Sequence, residues 1–207
     1  MPITADKPNN SQEYELVPKG THVARVYKVI YLGTQKIEWQ GETKELKKVR
    51  LYWELPNEKK TYTTEDGEEK EGVLSISREF TLSMGGKANL RPIVEGIIGT
   101  ALQDEEAYSF NMEELVGKAC LIRITHKKNK AGDREYAIVE STSELMKGQE
   151  CPKQVNDSVI INAGNITKED LEKLPDYIKE KIESSPEFKN RGIEYPSDEI
   201  DPADIPF

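Results

Sequence analysis

Aromatic and cationic residues alternate with apolar ones along two stretches of this chain, and that pairing is the chemistry the sequence offers. Val49, Leu51, Trp53 and Leu55 alternate with Lys48, Arg50, Tyr52 and Glu54. This is the period of a half-buried strand with one apolar face and one basic, aromatic face. Upstream, Arg25, Tyr27 and Tyr31 recur at alternating positions. Lys36 and Trp39 fall in a polar arm between the two stretches, and Lys127, Lys128, Lys130 and Arg134 surround a KKNKAGD turn. Flat rings stack on unpaired bases at ~1–3 kcal/mol per base, and cations track phosphates. These residues are therefore candidates for holding a single-stranded nucleic acid in a salt-dependent way. Plainer roles compete with this one. Trp53 and Phe80 belong to the core by phase, Tyr27 joins them if a bulge shifts the register, and the lysine turn also suits a solvated hairpin tip. Trp39, on a loop, suits stacking better than packing.

Other chemistries find little support. Cys120 lies among apolar residues, Cys151 is distant, and no CxxC or HxxxH spacing occurs. Glu68-Glu69 and Asp104-Glu105-Glu106 read as solvated runs, and no phosphate loop or nucleophile elbow is present. We expect no enzyme, no metal and no cofactor.

Periodicity and breakers give the scaffold for these candidates. A first strand is predicted over residues 21–32, a hairpin arm over 33–46 and a second strand over 47–55, ended by Pro56. Residues 57–72 read as a charged loop or hairpin tip and 73–83 as a third strand, with Arg78 interrupting its apolar face. Leu90, Ile93, Val94, Ile97 and Ile98 have helical spacing, with Asn89 as a cap and Gly99 as the stop. Next come a short helix over 111–116, a strand over 118–126 and a strand over 134–139. Five strands with a helix between the third and fourth is the order of an OB-fold, a partly open Greek-key barrel. Residues 147–166 read as irregular. Thr167 is placed to cap a helix, and Leu171, Leu174, Ile178 and Ile182 form an apolar stripe that should dock on the barrel. Acidity and further prolines from residue 186 onward read as disorder.

The charge distribution is uneven. The 207 residues carry 29 Lys and Arg against 38 Asp and Glu, a formal net charge of −9. Acidity normally argues against nucleic acid. Here, however, residues 192–207 contain five acids and no base, and residues 57–72 hold six acids and three bases. The rest is near balance, leaving room for a basic face. No apolar run approaches the ~18 residues a membrane span needs, and residues 1–11 lack the pattern of a secretory signal. With only two cysteines, a reduced cytoplasmic protein is expected.

The acidic end closes on Asp201, Asp204, Ile205, Pro206 and Phe207, a composition suited to a docking peptide in which Phe207 enters an apolar pocket and the acids steer toward basic partners. Asp204-Ile205-Pro206-Phe207 resembles the tip of bacterial and phage single-stranded DNA-binding proteins, although Pro202-Ala203 interrupt the aspartate run usual there. Residues 20–25 (GTHVAR), 48–56 (KVRLYWELP), 77–83 (SREFTLS) and 115–121 (LVGKACL) resemble phage-encoded members of OB type. The resemblance implies sequence-independent coating of single-stranded DNA during phage replication, recombination or repair in an infected bacterial cell, with the tip recruiting partner enzymes. The expected organisation is a disordered arm (1–13), an OB domain (14–148), an irregular and helical appendage (149–190) and a disordered acidic tail (191–207), as a monomer or weak homodimer. The rival readings are an OB-type protein–protein adaptor and a metal-dependent nuclease.

Overall fold

The computed structural model describes residues 16–39, 41–63 and 67–191. Its centre is a curled, mainly antiparallel sheet, a half-barrel of five long strands. These are β1 (Gly20–Trp39), β2 (Glu42–Thr63), β3 (Glu69–Thr81), β4 (Ala119–Lys128) and β5 (Glu135–Ser143). Their order in the sheet is β3-β2-β1-β4-β5, and a short β6 (Val159–Asn162) lies parallel to β1. Between β3 and β4 come α1 (Leu90–Ile98), α2 (Asp104–Ser109) and a 3-10 turn (Met112–Leu115), and after β6 come α3 (Lys168–Glu172), α4 (Asp176–Ser184) and α5 (Pro186–Lys189).

The sheet separates two hydrophobic clusters. Ala24, Val26 and Val29 of β1, Val49, Leu51, Trp53 and Leu55 of β2, and Leu90, Ile93, Val94 and Ile97 of α1 meet inside the curl. Ile30 and Leu32 of β1 instead meet Ile161, Leu171, Leu174, Ile178 and Ile182 outside it. One strand serves two cores because its register against β2 shifts between Val26 and Lys28 and again between Tyr31 and Gly33. An extra residue in a strand turns the side chains beyond it to the opposite face. The apolar stripe of the appendage does dock on the sheet. β1 also changes neighbours along its length, pairing with β4 over residues 20–25 and with β6 over residues 28–31.

Several sequence expectations need correction. β2 does not end at Pro56. A register shift between Leu55 and Lys59 absorbs the proline, as bulges do, and pairing with β3 resumes from Lys59–Val73 to Thr63–Glu69. Most of the stretch over residues 57–72, expected as a charged loop or hairpin tip, is therefore a long two-stranded arm. Likewise β1 runs on to Trp39. Asn89 makes no side-chain cap bond, whereas Gly99 ends α1 with φ +71°. The helix expected over 111–116 is only the 3-10 turn, preceded by the unforeseen α2, which a Gln103–Glu106 capping box starts. Residues 147–166 contain β6, and the stretch expected to be disordered from 186 onward begins with α5, capped by Ser185. Thr167 caps α3 as expected. The N-terminal arm expected over residues 1–13 lies outside the described residues.

Candidate nucleic-acid interface

The outer face of β1, β2 and β3 carries a row of cations and rings. Arg50 and Tyr52 stand outward because Val49, Leu51 and Trp53 are buried on the other side. The Tyr52 ring meets Tyr27 edge-on, with centroids 6.2 Å apart. The Lys28 ammonium sits 5.0 Å from the Tyr52 centroid and 5.6 Å from that of Tyr27. On the other flank the Arg50 guanidinium lies 5.6 Å from the Tyr52 centroid and 5.3 Å from that of Tyr177 on α4. Cations over ring faces are held by the ring quadrupole. β3 supplies the polar margin, with Arg50 donating to Ser77 Oγ at 2.9 Å.

Partial burial tunes this row. It lowers the Lys28 ammonium below the ordinary lysine value. It also raises the Tyr52 hydroxyl well above the usual phenol range, with Arg50 opposing and Tyr177 and Tyr27 reinforcing the shift. One acid enters the row. The Glu79 carboxylate accepts from Lys181 of α4 at 2.6 Å and lies 3.8 Å from Arg50. Lys48, on the same phase of β2, donates to Thr81 Oγ1 at 3.0 Å and opens onto a cleft of about 710 Å³ shared with Arg78 and Lys87.

The C-terminal segment frames the row at both ends. At one end Glu54, fully buried, accepts from the backbone N–H groups of Val155 and Asn156 and from the Asn156 side chain. At the other, Tyr31 and Thr34 donate to Glu187 of α5. Burial opposes ionisation of Glu187, but these donors outweigh it and hold the carboxyl at about 2.

The structure unites some of the predicted residues and separates others. Tyr27, Lys48, Arg50 and Tyr52 share the outer face. Tyr27 itself is buried, beside the register shift between Val26 and Lys28 that was the condition for its core placement, and burial raises its hydroxyl. Arg25 holds the chain together, donating to the carbonyls of Gly117 and Pro152. Tyr31 is engaged by Glu187. Lys36 is exposed on the β1–β2 arm, 3.8 Å from Glu45. Trp39 ends β1 opposite Glu42, and its side chain lies outside the described residues. Lys127, Lys128, Lys130 and Arg134 are placed on the β4–β5 hairpin. That hairpin adjoins the opposite end of β1 from Trp39, since Gly20 pairs with Ile124. The tail residues Asp201, Asp204, Ile205, Pro206 and Phe207 lie outside the described residues.

Sequence reasoning missed Lys28, Ser77, Glu79, Tyr177 and Lys181. The Ser77, Glu79, Thr81 alternation along β3 was a readable signal. Lys28 was hidden by the bulge beside it, and no local pattern announced that α4 would cross Arg50. Cys120 is buried beside Trp53, and burial pushes its thiol up to about 12. Among the described residues no three His, Cys, Asp or Glu side chains cluster as metal ligands, and no helix is long and apolar enough to cross a membrane.

Fold and surface together make this a curled antiparallel β half-barrel with a cation–aromatic row on its outer face. No protein-family model matches the chain, and no curated protein matches it in sequence.

Proposed function

We propose that this chain is an OB-type single-stranded DNA-binding protein that holds DNA without regard to sequence on the outer face of β1–β3 and recruits partner enzymes through the segment ending Asp204-Ile205-Pro206-Phe207. The observation that carries the reading is the row Lys28–Tyr52–Arg50, in which one ring lies against two cations. Bases stack on the exposed part of Tyr52, while Lys28, Arg50 and Lys48 neutralise the phosphates that run beside them. Support for the OB assignment comes from the strand order, from α1 lying between β3 and β4, and from the approach of the β3 and β5 edges, where Arg78 donates to the Val139 carbonyl at 2.6 Å.

The test is fluorescence anisotropy with labelled oligo-dT and a duplex of equal length across salt. Tight, salt-dependent binding of the single strand is expected, with Tyr52→Ala weakening it about 5- to 150-fold, the range that ~1–3 kcal/mol of stacking implies. A chain that fails to bind oligo-dT at low salt overturns the reading and leaves the adaptor. Strand cleavage on adding a divalent metal would favour the nuclease.

A further inference from the structure

We infer that the C-terminal appendage is itself part of the nucleic-acid site: Tyr177, on the helix that lies over the outer face of the sheet, stacks a nucleobase, and Lys181, one helical turn later, contacts the adjoining phosphate. This rests on the single-strand-binding reading above and extends it from the half-barrel to α4. Three observations carry it.

The first is placement. Ile178 and Ile182 are both fully buried in the outer cluster, which fixes α4 on the sheet and sets the direction in which Tyr177 and Lys181 project. Residues four apart share a helix face, so the ring and the ammonium form one surface. The second is exposure. Tyr177 is 47 % exposed, although the stripe that anchors α4 does not need it, and about half of the residue's surface is open to a further ligand. The third is continuity. The Arg50 guanidinium lies against both Tyr52 and Tyr177, so the cation–ring alternation of the sheet passes onto the helix without a gap. A strand lying along Lys28, Tyr52 and Arg50 meets Tyr177 next. A rigid, already ordered ring loses little conformational entropy when a base stacks on it. Lys181 is held by Glu79 at 2.6 Å in the free protein, and a phosphate oxygen is an equivalent acceptor.

The experiment uses the full chain and oligo-dT in anisotropy titrations across salt. Tyr177→Ala should weaken binding about 5- to 20-fold with the salt slope unchanged, Tyr177→Phe should stay within about twofold of the parent, and Lys181→Ala should flatten the slope by about 0.7, the value for one phosphate on a single strand. Tyr177→Trp adds a readout that does not depend on affinity: its fluorescence should be quenched when oligo-dT binds. If the parent chain and Tyr52→Ala behave as a sheet-based site requires while Tyr177→Ala binds like the parent and Tyr177→Trp is not quenched, α4 is excluded from the site and the single-strand reading stands. If the parent chain does not bind oligo-dT, both fall together.

Discussion

Asn156 donates to Glu54 Oε2 twice, through its backbone N–H and through its side-chain amide, each at 2.8 Å. A fully buried carboxylate is thereby satisfied by backbone and amide donors of a segment about a hundred residues away in sequence. Removing it leaves those N–H groups without an acceptor, and stranded buried donors cost more than the net value of a hydrogen bond. Glu54→Ala should lower stability to denaturant by about 2–4 kcal/mol and speed hydrogen exchange at Val155 and Asn156. Exchange unchanged at both amides would contradict the anchoring role.

Glu79 is the acid within the cation row, beside both Arg50 and Lys181. A carboxylate there competes with phosphate for both cations and repels the strand. Glu79→Gln should therefore tighten oligo-dT binding about 3- to 10-fold at low salt. The gain should shrink as salt screens it over a Debye length of ~8–10 Å. Anisotropy titrations at several salt concentrations check both the direction and the convergence.

The Glu187 latch makes stability depend on acid. Its carboxyl falls from the ordinary value of 4.5 to about 2 in the folded chain, so the folded state favours the ionised form. That stability is fully present above about pH 4.5 and is lost as the pH falls toward 2. Glu187→Gln should cost about 1–2 kcal/mol near neutrality, as expected for losing hydrogen bonds to a charged acceptor, and should remove this component of the acid-side decline. Chemical denaturation from neutrality down to about pH 2, through the window in which this stability is lost, compares the two curves.

Two glycines with left-handed backbone should respond differently to alanine. Gly33 has φ +76°, and a Cβ there would come within 2.5 Å of Ser185 Cβ, where the chain turns into α5. Gly41 has φ +82° with nothing within 4 Å. Gly41→Ala should cost only the left-handed backbone penalty of about 1–2 kcal/mol. Gly33→Ala adds a collision between two ordered elements and should cost clearly more, measured as the difference in denaturant midpoint between the two variants.

Arg50 and Tyr52 could be assigned to a common outward face from the chain alone, because a strand's side chains alternate strictly and Val49, Leu51 and Trp53 mark the other phase. The stripe of Leu171, Leu174, Ile178 and Ile182 was equally readable, since helical spacing of apolar residues needs no knowledge of what they cover. The bulge that turns Lys28 toward Tyr52, the continuation of β2 past Pro56, and the pairing of β6 with β1 were not readable. Each depends on a hydrogen-bonding partner distant in sequence, and strand register is settled between strands rather than within one. The same holds for function. Local periodicity supplied rings and cations. Only long-range packing decided that Arg25 would tie down the C-terminal segment while Arg50 was held partly exposed between Tyr52 and Tyr177, because a guanidinium binds whichever carbonyl or ring the folded chain sets beside it.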